Sequence, residues 1–169
     1  MMNKESKIKN GFTLIEMIVS VAIITIGVFG VFSVITNYSQ KTQQQKERLI
    51  ATYLCQEGME IVKNIRDANL VAEVSWSEGL DSCTSALGSC EADFLSTDLD
   101  RYYDSHYLYI QNSSGAYLYP SSATVDVKTP FRRKITITPD GVDKLDVQVD
   151  VYWMDNTMTI YGNLYNWAP

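Results

Sequence analysis

The chain has 169 residues, 46% of them hydrophobic, a formal net charge of −6 and one histidine. An acidic chain whose only basic cluster is Arg132, Arg133 and Lys134 is a poor match for a phosphate backbone, so nucleic acid is not an expected partner. The length suits one modest core with an appendage.

The first eleven residues, MMNKESKIKNG, set Lys4, Lys7 and Lys9 against Glu5 and are basic. Residues 12–35, FTLIEMIVSVAIITIGVFGVFSVI, are apolar apart from Glu16. A helix of that length rises about 36 Å, against about 30 Å for a hydrocarbon core. A basic segment before an apolar run also describes a secretory signal. Here the run is longer than a usual h-region, and no A-x-A-like site follows it. The small residue, Gly11, stands in front instead, so cleavage there would discard the leader and keep the membrane helix. The leader lysines place the N-terminus inside, although Lys41, Lys46 and Arg48 lie just past the helix.

Glu16 is costly. An acid at the centre of a membrane helix costs about 2.5–3.5 kcal/mol, and less near an end. Two readings stand: it meets the α-amino group that cleavage before Phe12 creates, on its own chain or a neighbour's, or it snorkels to the headgroups.

The stretch KNGFTLIEMIVSVAI, within residues 9–36, closely resembles the class III signal of type IV prepilins and type II secretion pseudopilins. The resemblance implies that Gly11 is the last leader residue, read by a prepilin peptidase. It implies that Phe12 is the N-methylated mature N-terminus, and that Glu16 neutralises a neighbour's N-terminus during assembly. It implies as partners other pilin or pseudopilin subunits, met helix to helix, an inner-membrane assembly platform and membrane lipid. YLCQEGMEIVKNIRD and the closing LYNW are similar to the helix end and C-terminus of some minor pilins. Some major pilins carry a proline in the membrane helix. None is present here, and Gly27 and Gly30 are the soft spots.

Residues 37–48, NYSQKTQQQKER, are polar all round and suit a helix that bridges membrane and domain. From Ile50 the apolar positions Ile50, Leu54, Gly58, Ile61 and Ile65 recur every three or four residues, flanked by Leu49, Tyr53 and Val62. Gly58 on that face suggests close approach of another backbone. Cys55 beside it reads as a buried structural thiol. RDAN ends the helix, which is expected over 12–67. Residues 69–104 read as loops, with a short helix around EADFLSTDLDRYYD. Cys83 and Cys90, in DSCTSALGSC, read as a disulfide-closed loop outside the cytoplasm, or as two reduced loop cysteines inside it.

Strand signals then dominate. HYLYIQ and AYLYP flank the turn NSSG. In FRRKITITP, Phe131, Arg133, Ile135 and Ile137 alternate with Arg132, Lys134 and Thr136. PDGVDK is an Asp-Gly turn. In KLDVQVDVYWM, Leu145, Val147, Val149, Val151 and Trp153 face one way and Asp146, Gln148, Asp150 and Tyr152 the other. TMTIYGNLYNW follows across the turn DN. The last three runs make an antiparallel meander whose apolar face and the helix stripe cover each other. The expected class is α+β: a leader over 1–11, a membrane helix over 12–36, its amphipathic continuation over 37–68, and a domain over 69–169 with loops at 69–104 and the sheet at 105–167.

No chemistry of an enzyme emerges. His106 has Asp104 and Ser105 beside it, but sequence neighbours do not make a triad, and an exposed strand-edge histidine accounts for it. There is no phosphate loop, C-x-x-C or H-E-x-x-H. Calcium favours oxygens such as those of Asp98, Asp100 and Asp104, or of Asp140, Asp143 and Asp146. Neither set has EF-hand spacing, turns and solvated strand faces account for both, and no cofactor or metal is expected. Tyr102, Tyr103, Tyr107, Tyr109, Tyr117 and Tyr119 are either sheet residues or a contact surface.

The function these readings favour is a structural subunit, a minor pilin or pseudopilin, of a type IV pilus, type II secretion or DNA-uptake filament. It would be stored as a single-pass protein in the cytoplasmic membrane with its domain outside, then assembled into the filament. The alternative is a membrane-anchored extracytoplasmic binding protein that keeps its leader.

Overall fold

Apolar side chains that recur at helical spacing face one way, and here a sheet with an apolar face of its own meets them. The computed structural model describes residue 11 and residues 13–80, 83, 88–119 and 127–167. The chain forms two compact units, Met1–Gln45 and Lys46–Pro169. Helix α1 runs Leu14–Val71.

In the first unit the apolar side chains of α1 from Leu14 to Tyr38 are all exposed. Its hydroxyls turn back onto the helix: Ser20 Oγ donates to the Glu16 carbonyl at 2.7 Å and Thr25 Oγ1 to the Val21 carbonyl at 2.5 Å. Such bonds satisfy these two hydroxyl protons in an apolar medium. The helix passes Gly27 and Gly30 without a break.

In the second unit the buried stripe of α1 is Ala51, Leu54, Cys55, Gly58, Met59, Ile61, Val62 and Ile65. Leu49 and Tyr53, expected to flank the stripe, are exposed. At 100° per residue they fall on the side away from Ala51, Cys55 and Val62, and the sheet covers that latter side. The helix also outlasts its expected end. It closes at Val71 in a Schellman arrangement, with Glu73 left-handed at φ 56°. The Val74 amide reaches the Asn69 carbonyl at 3.2 Å, and the Glu73 amide reaches that of Leu70 at 3.3 Å. A glycine would normally announce such a cap, and this chain has none there.

Eight strands follow: β1 (Cys90–Glu91), β2 (Asp100–Arg101), β3 (Tyr109–Ile110), β4 (Tyr117–Leu118), β5 (Val127–Lys128), β6 (Phe131–Pro139), β7 (Lys144–Trp153) and β8 (Asn156–Tyr165). They form two sheets, ordered β2-β1-β6-β7-β8 and β4-β3-β5, with antiparallel pairing throughout. This corrects the single sheet expected at 105–167. It also corrects the stretch EADFLSTDLDRYYD, which supplies β2 and part of β1 and contains no helix. Residues with little strand character of their own become strands because the edge of β6 offers them backbone partners: Cys90 lies opposite Ile135.

The meander β6–β7–β8 has the expected parity. Ile135, Ile137, Val147, Val149, Val151 and Leu164 are buried with the helix stripe. The Asp-Gly turn sits between β6 and β7, with Gly141 at φ 85°. The next turn is Met154–Asp155 rather than Asp-Asn, since Trp153 pairs Asn156, and Met154 takes the left-handed φ of 48°. NSSG turns β3 into β4, with the Gly115 amide on the Gln111 carbonyl at 2.7 Å.

One inward position on β6 carries a charge. Arg133 is fully buried between α1 and the sheet. Its Nε and Nη2 donate to the Ala92 carbonyl, and its Nη1 to the Leu54 carbonyl at 3.0 Å and to Glu57 Oε2 at 3.2 Å. A Cβ on Gly58 would stand 2.9 Å from Arg133 Cδ and 2.9 Å from Val149 Cγ1. Gly58 therefore makes room for two side chains, not for the backbone expected there.

Candidate functional site

The start of α1 carries most of the candidate residues. Gly11 is exposed, and a Cβ built on it would meet nothing within 4 Å. The fold of this chain does not require a glycine at that position. Phe12, the expected mature N-terminus, lies outside the described residues.

Thr13 precedes the first helical residue and faces Glu16 three positions on. Glu16 Oε2 accepts from the Thr13 amide at 3.4 Å and from its hydroxyl at 3.3 Å, and the Glu16 amide donates to Thr13 Oγ1 at 3.4 Å. This is a capping box, written in sequence as Thr-x-x-Glu. The bonds are long, but they point at amides that a helix start leaves without partners. An acid in the first turn also suits the helix dipole. Glu16 thus has a role within its own chain, which reading it only as an isolated charge in an apolar run overlooked. The Thr13–Glu16 spacing was the available signal. Oε2 makes these contacts, and Oε1 has none among the described residues.

Residues 6–32 match the prokaryotic N-terminal methylation motif. This is the prepilin-type signal of type IV pilins and pseudopilins, and it supports a type IV pilin-like protein. The signal implies processing by prepilin peptidase and assembly with other pilin subunits, and the proteins that carry it are structural. Its residues 14–32 lie on the one described helix long and apolar enough to cross a membrane, whose most apolar window has a mean hydropathy of 2.7 and is uncovered. Both features fit membrane anchoring. No curated protein and no solved structure matches the chain.

The other candidates lie in the second unit. Cys83 and Cys90 are joined in a disulfide, with Cα atoms 5.6 Å apart. Cys55 is buried, and burial pushes its thiol up to about 11. The two aspartate sets do not converge. Lys144 bonds Asp140 at 2.5 Å and Asp146 at 2.9 Å, and Asp143 accepts from Asn166. Among the described residues no three His, Cys, Asp or Glu side chains come together as metal ligands.

His106 is not on a strand. Its Nδ1 lies 2.6 Å from Oε1 of Glu91, a buried carboxylate whose Oε2 accepts from the Tyr103 amide at 3.2 Å. Burial pushes the Glu91 carboxyl up, and the His106 bond pulls it partly back. The pair lies in an open cleft of about 600 Å³, with Asp93, Arg101, Tyr103 and Tyr119 on its walls. Nothing in the sequence paired Glu91 with His106, since they stand fifteen residues apart, one on the short strand β1 and the other on irregular chain. Most of the tyrosines are structural. Tyr119 donates to the Arg133 carbonyl at 3.1 Å, Tyr102 to Asp104 at 2.6 Å, and Tyr107 lies under Lys128 and Arg132.

Proposed function

We propose that this protein is a non-enzymatic filament subunit, a minor pilin or pseudopilin of a type IV pilus, type II secretion or DNA-uptake machine. It is released from its leader between Gly11 and Phe12. The observation that carries this reading is the contiguous methylation motif, whose residues 14–32 lie on a helix with its apolar side chains exposed. Lipid covers such a helix before assembly, and neighbouring helices cover it after.

The geometry at the helix start supports the role given to each residue. A glycine that the fold does not need at position 11 is explained by a peptidase that reads it. Cleavage places an α-amino group on Phe12, one residue before the capping box. Glu16 keeps Oε1 for that cation while Oε2 serves Thr13. An ammonium on a neighbouring subunit, brought to the same depth, sets axial register by matching the buried charge. Removing the leader deletes three lysines and one glutamate, which leaves the mature chain more acidic.

The test is the mass of the N-terminus after expression in cells with a working prepilin peptidase. The expected species begins at a methylated Phe12. Glu16→Val is expected to be processed but to enter filaments poorly. An intact leader would overturn the assignment and favour an anchored binding protein, a reading to which the open cleft beside His106 lends some support.

A further inference from the structure

Polar side chains that line a concave surface and are left over from the fold's own bonds are the ones a ligand can use. The cleft beside His106 has a volume of about 600 Å³, and its polar side chains divide into two groups on that basis. Small-molecule clefts run from about 300 to about 1,000 Å³, so its size is suitable.

The first group is engaged. Asp93 Oδ1 accepts from the Leu95 amide at 3.0 Å and from the Ser96 hydroxyl at 2.9 Å, and its Oδ2 accepts from the Tyr119 amide at 2.9 Å. The Glu91 oxygens serve His106 Nδ1 at 2.6 Å and the Tyr103 amide at 3.2 Å. These two acids hold the wall together and have little left for a ligand.

The second group is not engaged. Asp100 and Arg101 are exposed on the cleft wall, and neither side chain makes a hydrogen bond or ion pair among the described residues. Arg101 rests over the Tyr103 ring, 5.9 Å from its centroid, and the His106 ring lies 4.8 Å from the same centroid. Tyr103 is therefore held in place while 48% of it stays exposed. Its hydroxyl has no partner among the described residues. Nor has His106 Nε2, an acceptor in the neutral ring and a donor in the charged one.

This leftover set narrows the ligand by charge. The carboxylates of Glu91 and Asp93 behind the wall repel an anion, and Arg101 repels a cation. A wholly apolar ligand would take the four polar groups from water and give them no partner, which is unfavourable. A neutral molecule rich in hydroxyls fits, because each hydroxyl both donates and accepts. A pyranose ring has hydroxyls at its edge and C–H groups on its faces, and such a face suits the flat, half-open ring of Tyr103.

We propose that this cleft binds a pyranose residue of a neutral glycan, with a C–H face on Tyr103 and hydroxyls on Asp100, Arg101 and His106 Nε2. The site is built from the second unit alone. It stands apart from the filament reading, since a filament subunit and an anchored binding protein are equally able to carry it.

The test uses the full-length chain in lipid nanodiscs, free of sugar headgroups, and saturation-transfer difference NMR with methyl β-D-glucopyranoside and methyl β-D-galactopyranoside. Transfer is expected to at least one of them, strongest at the protons of one ring face. Arg101→Ala is expected to weaken binding about tenfold, the cost of losing a hydrogen bond to a charged group. Tyr103→Ala is expected to abolish the transfer. Tyr161→Ala, which removes an exposed tyrosine of β8 outside the cleft, is expected to leave it unchanged, with Trp153 fluorescence native in all three variants. Cellobiose or lactose, matched to the methyl glycoside that binds, is expected to bind more tightly, because the cleft has room for a second ring. Equal affinity would mark a site for a free monosaccharide and overturn the glycan assignment. No transfer to either methyl glycoside, equal transfer in Tyr103→Ala, or tighter binding of glucuronate or choline than of the neutral sugars would each overturn the proposal. The N-terminal mass tests the filament reading separately, and neither result decides the other.

Discussion

Gly58→Ala asks whether the helix and sheet are as tightly joined around Arg133 as the distances say. On a bare helix this change stabilises by about 1 kcal/mol, because glycine is the poorer helix former. Here the new methyl would lie 2.9 Å from both Arg133 Cδ and Val149 Cγ1. Neither neighbour withdraws freely. Val149 is β-branched, so its χ1 is stiff, and it stands on β7 between two paired strands. Arg133 is held at its far end by the Ala92 and Leu54 carbonyls and by Glu57. Overpacking a dense core costs about 1–3 kcal/mol, and two fixed neighbours put this site near or past the top of that range. The net expectation is a loss of about 2 kcal/mol, or about 8 °C in melting temperature for a unit of this size. The assay is thermal unfolding in detergent, read by the fluorescence of Trp153, which is buried. Adding Val149→Ala to Gly58→Ala should recover part of the loss, and Gly30→Ala, where a Cβ meets nothing within 4 Å, should leave the transition in place. A Gly58→Ala protein as stable as wild type would refute the argument that this glycine is there to admit Arg133.

Three further expectations concern groups on the same domain. The Cys55 thiol ionises first in the unfolded chain, because burial holds it near 11 in the fold. Its contribution to stability is therefore intact below about pH 9 and lost as pH rises towards 11, so wild type should weaken across that window more than Cys55→Ala in urea titrations. His106→Ala removes a bond that lowers the Glu91 carboxyl, whose position is already raised by burial. Carbon-13 NMR should show Glu91 titrating higher in that variant, and the variant should lose more stability than wild type between acid and neutral pH, since a raised acid weakens the fold as pH climbs through its folded value. Reducing Cys83–Cys90 reopens a short loop next to β1. The chain-entropy model gives a loss of about 2.5 kcal/mol, and an unfolding midpoint indifferent to reductant would contradict it.

Local order was legible because it is recorded in spacing. A basic leader, a glycine and an apolar run mark the helix start wherever they occur, and a two-residue alternation assigned the faces of β6 and β7 before any partner was known. Even the core arginine sat at the right parity, between Phe131 and Ile135. The helix end was not legible, since Glu73 closes it where glycine is usual. Nor were β1 and β2: β1 is a strand because it pairs with β6, and β2 because it pairs with β1.

What the amino-acid sequence determined alone is therefore the N-terminal signal, the long apolar helix and the apolar sides of the long strands. Each depends on residues within about a turn or a strand of one another. Tertiary structure alone decided that Arg133 reaches the Ala92 and Leu54 carbonyls, that Glu91 receives His106, and that β8 is an edge of its sheet among the described residues. Those outcomes depend on which distant segments the closed chain sets side by side, and spacing along the sequence carries no record of that.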